Sequence, residues 1–426
     1  MGSTRSVLLL ATTLGCAACP EPAAQRAATP TTMPSAAPTP TPAAASEEDE
    51  FGERVSLELD RAKLLAAGAA PALLARLDAS AYRYFRALAI EYSSRVCWEF
   101  RDLRWQLPVV AVHADAHVTQ FVVTPDTYGL EDYDRAGFGP AIVDVVRYGS
   151  SLHLACRELA WSCDAEEAVS VFLREYRAAL AAPPKRVQPA LVDRLRRRAP
   201  SSLEEWLKWA DSLRVPLPAE QERSVRQNWL AFVAQQRLTY PELPAAFFDL
   251  VAVGSLHLGI GSALETKYLL RVRGPSDAPN DDVILEARSI KESPPRAGIW
   301  RPHHGGSLHT LYFMFLLGPR LPERFGTATL SSDPHMPHFW LQSWEPGYTE
   351  LALTDVQSQQ DLEQLATDAA RQLAGHFWTR FPEPLRPAQR FGQLRMFDAT
   401  APRARELAKT LAAETLVSWQ RFRQAR

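Results

Sequence analysis

The chain has 426 residues, of which 46% are hydrophobic and 23% charged, with 47 Lys and Arg against 49 Asp and Glu. That balance belongs to an ordinary globular protein and excludes collagen-like, coiled-coil and wholly disordered chains. A formal charge of -2 supplies no basic field for phosphate backbones, so nucleic acid is not an expected partner.

Residues 1–19 run from a short basic start through the apolar Val7 to Leu10 to small residues, the order of an export signal. Cys16 and Cys19 each follow small residues, as in a lipoprotein cleavage box, which predicts an exported, membrane-anchored chain facing the periplasm or the cell exterior. Residues 20–50 are dominated by Pro, Ala and Thr and read as a disordered tether, since they hold too little apolar surface to offset ordering entropy. Beyond the leader no stretch is apolar enough to span a bilayer.

The spacing from Glu53 to Phe100 predicts two helices, broken near Gly68 to Pro71. Pro108 to Val123 reads as extended, with another short strand over Leu130 to Asp134 after the turn at 124–129. Helical patterns follow at 142–160, 165–182, 188–198, 203–213 and 219–237, separated by prolines. Three antiparallel strands are expected at 248–258, 265–272 and 283–290. Leu308 to Leu317 fits helix or strand, 339–344 a strand, and 361–377 and 401–423 helices. The pattern predicts an α+β fold of two lobes: a mainly helical lobe over 51–240, a small β lobe over 241–350, and C-terminal helices over 351–426. Cys97, Cys156 and Cys163 match no zinc spacing and read as buried thiols, with one bridge left open.

The densest polar cluster is His113-Ala114-Asp115-Ala116-His117, followed by Asp132-Tyr133-Asp134. One reading is phosphoryl transfer, with Asp115 accepting a hydroxyl proton and Asp132 holding magnesium. A second is a metal site of His113, Asp115 and His117 on one strand face. The third is a polar loop in which Asp115 caps backbone amides. Gly259-Ile260-Gly261-Ser262 lies between two expected strands, where glycines let amides approach an anion, although Gly-x-Gly at a hairpin is commonly only a turn. A cation on the next strand would be Arg288 or Lys291, which an odd spacing turns to opposite faces. His303, His304, His309, His335 and His338 have no ligand spacing, and the basic run 185–198 reads as a solvated helix face. No Gly-x-Ser-x-Gly, His-Glu-x-x-His or P-loop lysine motif occurs.

The run 79–86, the His113–His117 cluster, Glu131–Asp134, Gly139-Pro140 with Asp144 and Arg147, Gly259–Ser262, Lys267-Tyr268 and the helix around His376 together resemble a bacterial family, domain of unknown function 2252. That family is similar to the protein-kinase-like superfamily of aminoglycoside and choline kinase type. The resemblance implies a two-lobed kinase-like fold with its lobes in permuted order, Asp115 as catalytic base beside His113, and Asp144 steadying the catalytic loop. It places Asp132 at the metal, with Gln120 and Asp134 beside it, and the nucleotide phosphates under Gly259, Gly261 and Ser262 with Arg288 or Lys291. Ala114 stands where the pattern has Gly, Gln120 where it has Asn, and Leu264 where it has a further Gly. ATP and Mg2+ are the cofactors implied, with a small hydroxyl- or amine-bearing substrate. Two other functions stay in view: a non-catalytic envelope lipoprotein that keeps the cleft for ligand or partner binding, and a metal-dependent hydrolase.

Overall fold

In the computed structural model the described residues are 54–426 apart from 201, 258–265, 277, 290–297, 300–306, 323, 332–337, 380–385 and 426. The expected leader, tether and cleavage cysteines, the Gly259–Ser262 hairpin and Lys291 all lie outside them.

The chain opens with four short helices where two were expected: α1 (Arg61–Ala66), α2 (Pro71–Ala79), α3 (Ala81–Arg86) and α4 (Ala89–Glu99). Local chemistry makes the divisions. Gly68 at φ +81° takes the chain out of α1, Pro71 starts α2, and the Ser80 hydroxyl accepts from the Arg83 N–H to cap α3. Four short strands follow, β1 (Val109–Val112), β2 (Phe121–Val123), β3 (Tyr128–Leu130) and β4 (Gly137–Pro140). Next come α5 (Ile142–Glu158), α6 (Ala165–Ala181), capped by Asp164, α7 (Ala190–Arg198) and α8 (Leu203–Ser212), capped by Ser202. The rest is β5 (Arg214–Val215), α9 (Ala219–Thr239), β6 (Leu250–Leu256), β7 (Lys267–Val272), β8 (Val283–Ser289), α10 (Ser307–Leu317), β9 (Phe325–Thr329), β10 (His338–Ser343), β11 (Thr349–Glu350), α11 (Gln359–Thr379) and α12 (Arg386–Gln424).

The fold is α+β with small antiparallel sheets. One apolar core joins α2–α6 to α11 and α12, with Phe172, Leu365 and Leu411 fully enclosed and Tyr148 stacked on Phe172 at 4.7 Å. The C-terminal helices therefore complete the helical body. The α12 helix begins well before the expected Ala401 and continues through Pro402. Two helices expected in the helical lobe go to the sheet instead. Trp229 and Phe232 of α9 bury against one sheet face, and Trp206 and Leu207 of α8 against the other. Burying such large side chains is worth about 1.5–3 kcal/mol each, enough to decide which layer an amphipathic helix joins.

The main sheet has the order β5-β6-β7-β8-β10-β9. Alternation divides its faces. Tyr268, Leu270, Leu285, Ala287, Phe339 and Leu341 meet α9, while Lys267, Glu286, Arg288, Trp340 and Gln342 stand on the reverse face toward the helical body. The extended stretch after Pro108 divides into two strands and meets the expected 130–134 strand only at Leu130, opposite Phe121. β1 pairs with β4, while β2 pairs with β3 and β11. Asp132 adopts φ +65°, leaves the strand and starts a 3-10 turn over 133–135.

Cys156 and Cys163 form a disulfide at the α5–α6 corner, and Cys97 is a buried free thiol. One bridge is therefore formed, and of the three cysteines expected as buried thiols only Cys97 is one. Among the described residues no helix is long and apolar enough to cross a membrane.

Candidate functional site

The His113–His117 segment is a tight loop between β1 and the 3-10 turn 118–120, so its side chains diverge. Ala114 sits at φ +59°, a left-handed conformation that favours glycine. The Asp144 carboxylate, near the start of α5, holds the turn by accepting from the His113 N–H at 2.8 Å and the Ala114 N–H at 2.7 Å. Burial outweighs these donors and raises the Asp144 carboxyl above its ordinary range. Asp115 accepts from Arg147 Nε at 2.9 Å and Nη2 at 2.5 Å, and that fully buried guanidinium lies over the Phe85 ring. His113 Nε2 meets the Glu131 carbonyl at 2.9 Å, whereas His117 packs edge-on to Tyr82 and Phe85. Three side chains aimed at three neighbours make no ligand set, so the metal site of His113, Asp115 and His117 is not formed.

Farther along, the helical body and the main sheet enclose one polar hollow. Its floor is a face of the sheet β11-β2-β3. Phe121 pairs with Leu130, so the flanking Gln120 and Glu131 stand side by side, and the Glu131 N–H donates to the Gln120 carbonyl at 3.0 Å. Gln120, Val122, Glu131 and Glu350 line the hollow from this side. From the main sheet come Lys267 and Arg288, opposite each other in the β7–β8 register, and Glu286 two residues before Arg288. Asp132 lines the hollow between floor and roof.

The electrostatics centre on Arg288. It donates to Asp132 at 3.2 Å, Asp134 at 3.3 Å and Glu286 at 3.2 Å. Burial pushes the Asp132 and Glu286 carboxyls up, but Arg288 and Lys267 outweigh it and hold both below the usual range. Glu131 behaves in the opposite way. Burial lifts its carboxyl to about 7 against the pull of Arg320, which lies 3.5 Å away and also bonds Glu345 at 2.7 Å. Its Oε2 is enclosed and has no hydrogen-bond partner among the described residues. The enclosed space is about 80 Å3, room for about five water molecules, so it admits a group the size of one phosphate and not a whole nucleotide.

The structure thus brings Gln120, Asp132 and Arg288 to one hollow, with Asp134 bonded to Arg288, and places His113 and Asp115 in the adjoining loop that Asp144 of α5 holds. Among the described residues no group of three or more His, Cys, Asp or Glu side chains is arranged to hold a metal. Sequence reasoning looked for the cation only on β8. Lys267 on β7 shares the hollow, and the alternation of Lys267, Leu269 and Arg271 with Tyr268 and Leu270 is the signal for it. Glu131 and Glu286 were missed because acidic residues on half-buried strands carry no motif of their own.

Residues 66–205 match the model of a bacterial family described as "Uncharacterized protein conserved in bacteria (DUF2252)". The match takes in the Asp144-held loop, Asp132 and Asp134, stops ahead of the main sheet, and its description assigns no activity. No curated protein and no solved structure matches the chain.

Proposed function

We propose that the hollow takes the terminal phosphate of a nucleotide together with a divalent cation, in a cleft serving phosphotransfer to a small molecule. The reading rests on one observation: acids from the helical body face cations of the sheet across a single hollow. The charges of that cluster favour a cation-bound phosphate over a bare one. The hollow is lined by Arg86, Lys267, Arg288 and Arg320 against Glu131, Asp132, Glu286 and Glu350, a balance that leaves no surplus of positive charge for a free anion. Mg2+ is usually held by one or two carboxylates plus substrate phosphates, so the hard oxygens of Asp132 and Asp134 fit it without a larger cage. When bound, the ion would neutralise phosphate charge there. Arg288 would transfer hydrogen bonds from carboxylates to phosphate oxygens and Lys267 would add its charge, while Asp144 keeps the adjoining loop in place. With room for about one phosphate, the hollow leaves the nucleoside outside it.

Thermal-shift measurements with ATP and Mg2+, separately and together, test this reading. It predicts a rise in Tm that needs both and disappears in Asp132→Asn. A rise with ATP alone, equal in wild type and Asp132→Asn, would refute it.

A second reading, a cleft that binds without transferring phosphate, is favoured by Arg288, whose guanidinium already bonds the two carboxylates the cation requires. Binding of MgATP with no labelled phosphate passing to water or to any acceptor in a panel of small alcohols and amines would select it.

A further inference from the structure

On the open side of the hollow a cation and an anion stand without bonding each other. Arg86, the last residue of α3, and Glu350 of β11 both line it. Glu350 is exposed and pairs in register with Val122, another residue of the lining, while Arg86 is half-buried on the helical body. The Arg86 Nε is enclosed, but its two Nη atoms are accessible, and among the described residues they have neither a hydrogen bond nor an ion pair. The other guanidiniums of the lining, Arg288 and Arg320, both bond carboxylates. Glu350 accepts one long bond, from the Tyr348 hydroxyl at 3.4 Å. The two groups still feel each other: the surrounding walls raise the Glu350 carboxyl, and of the charges acting on it Arg86 opposes them most.

We propose that Arg86 and Glu350 form the subsite for the zwitterionic end of an amino-acid-like ligand, the phosphate acceptor of the cleft. This rests on the phosphotransfer reading and adds the substrate class. Two opposite charges that share a hollow and do not close on each other leave a gap for a molecule carrying both signs. The guanidinium offers a fork of N–H donors that a carboxylate matches, and the Glu350 carboxylate accepts from an ammonium group. Between the walls of the hollow both ion pairs are screened less than in open water. A plain anion would meet Arg86 and be repelled by Glu350, and a plain cation would meet the reverse. A zwitterion adds no net charge, so the balance of four cations and four acids in the lining is kept.

The test is a saturation-transfer NMR titration of the whole chain at pH 7 with L-serine, 3-hydroxypropanoate and ethanolamine. The second is serine without its ammonium group, the third serine without its carboxylate, and all three keep a hydroxyl. Serine is expected to bind about tenfold more tightly than each of the others, the size of one charge-assisted hydrogen bond. Arg86→Gln should bring serine down to the level of ethanolamine, and Glu350→Gln down to that of 3-hydroxypropanoate. Serine binding no tighter than either one of these fragments, or a gap that persists in the variant meant to close it, would overturn the proposal. The wild-type comparison decides the matter even if a variant fails to fold. The ATP and Mg2+ shift is read in separate samples without serine, so failure there and failure here are told apart.

Discussion

The loop held by Asp144 and the hollow roofed by Arg288 are both built from buried ionisable groups, yet their hydrogen-bonding groups face different things. In the loop, the Asp144 carboxylate meets two backbone N–H groups and Asp115 meets a guanidinium wrapped in aromatic rings, while His113 Nδ1 and Arg147 Nη1 have no partner among the described residues. In the hollow, Glu131 Oε2 is enclosed and without a partner among the described residues, and Arg288 is shared among three carboxylates. A carboxylate held by donors of its own fold stabilises one conformation, whereas an over-shared guanidinium keeps a site ready for exchange. The boundary between scaffold and binding surface runs inside one acidic segment, between Asp115 and Glu131.

The strongest way to break the contrast is to remove Arg147. Arg147→Leu leaves Asp115 buried without its cation and should cost about 3–5 kcal/mol in urea denaturation. A cost below 1 kcal/mol, measured the same way, would mean that the loop is not the rigid partner.

Glu131 sharpens the other side. Its carboxyl titrates near 7 in the fold against an ordinary value of 4.5. The folded state therefore keeps a proton that the unfolded chain gives up, and stability falls as pH rises from about 4.5 to about 7, by roughly 3 kcal/mol in total. Glu131→Gln should lack that decline and match or exceed wild type at pH 8, as read by denaturation at pH 5 and pH 8. Parallel pH profiles for the two proteins would show that Glu131 is no more desolvated than a surface carboxylate.

In the helical body, opening the Cys156–Cys163 bridge with a double Cys→Ser change should cost about 2 kcal/mol, because the loop it closes is short. The MgATP response should survive that change, since neither cysteine lines the hollow. The smallest effect is Ala114→Gly. Relief of the left-handed strain, less the entropy of the freer residue, should gain about 0.5–1 kcal/mol, read as a small rise in Tm. A loss of stability there would mean that the Ala114 methyl packs better than its backbone is strained.

Much of this architecture was legible because strong punctuation marks it. Prolines and caps set α6 and α8 within a residue of the expected bounds, and the three expected strands around 250, 270 and 285 are β6, β7 and β8. The acidic cluster placed Asp132, and the strand after the Gly-rich hairpin placed Arg288, among the residues of interest. Which layer a helix joins was not legible: α8 and α9 have the same pattern whether they cover a helix bundle or a sheet, and only the partner surface decides. The bounds of the strand in the acidic segment were misjudged for a related reason. A left-handed Asp132 ends β3 early, and nothing in its identity announces that, since Asp tolerates the conformation without requiring it. Unused hydrogen-bonding groups such as that of Glu131 are invisible in a sequence, because being unpaired is a property of the neighbourhood.

The row Lys267, Arg288 and Trp340 runs straight across three neighbouring strands, with Tyr268, Ala287 and Leu341 in the row behind it. A slip of one residue in β8 would exchange those rows, driving Arg288 and Glu286 into the apolar layer against α9 and turning Leu285 and Ala287 outward. Correct registration of the strand and assembly of the charged roof are thus one event, and a single-residue insertion in β8 would abolish both together.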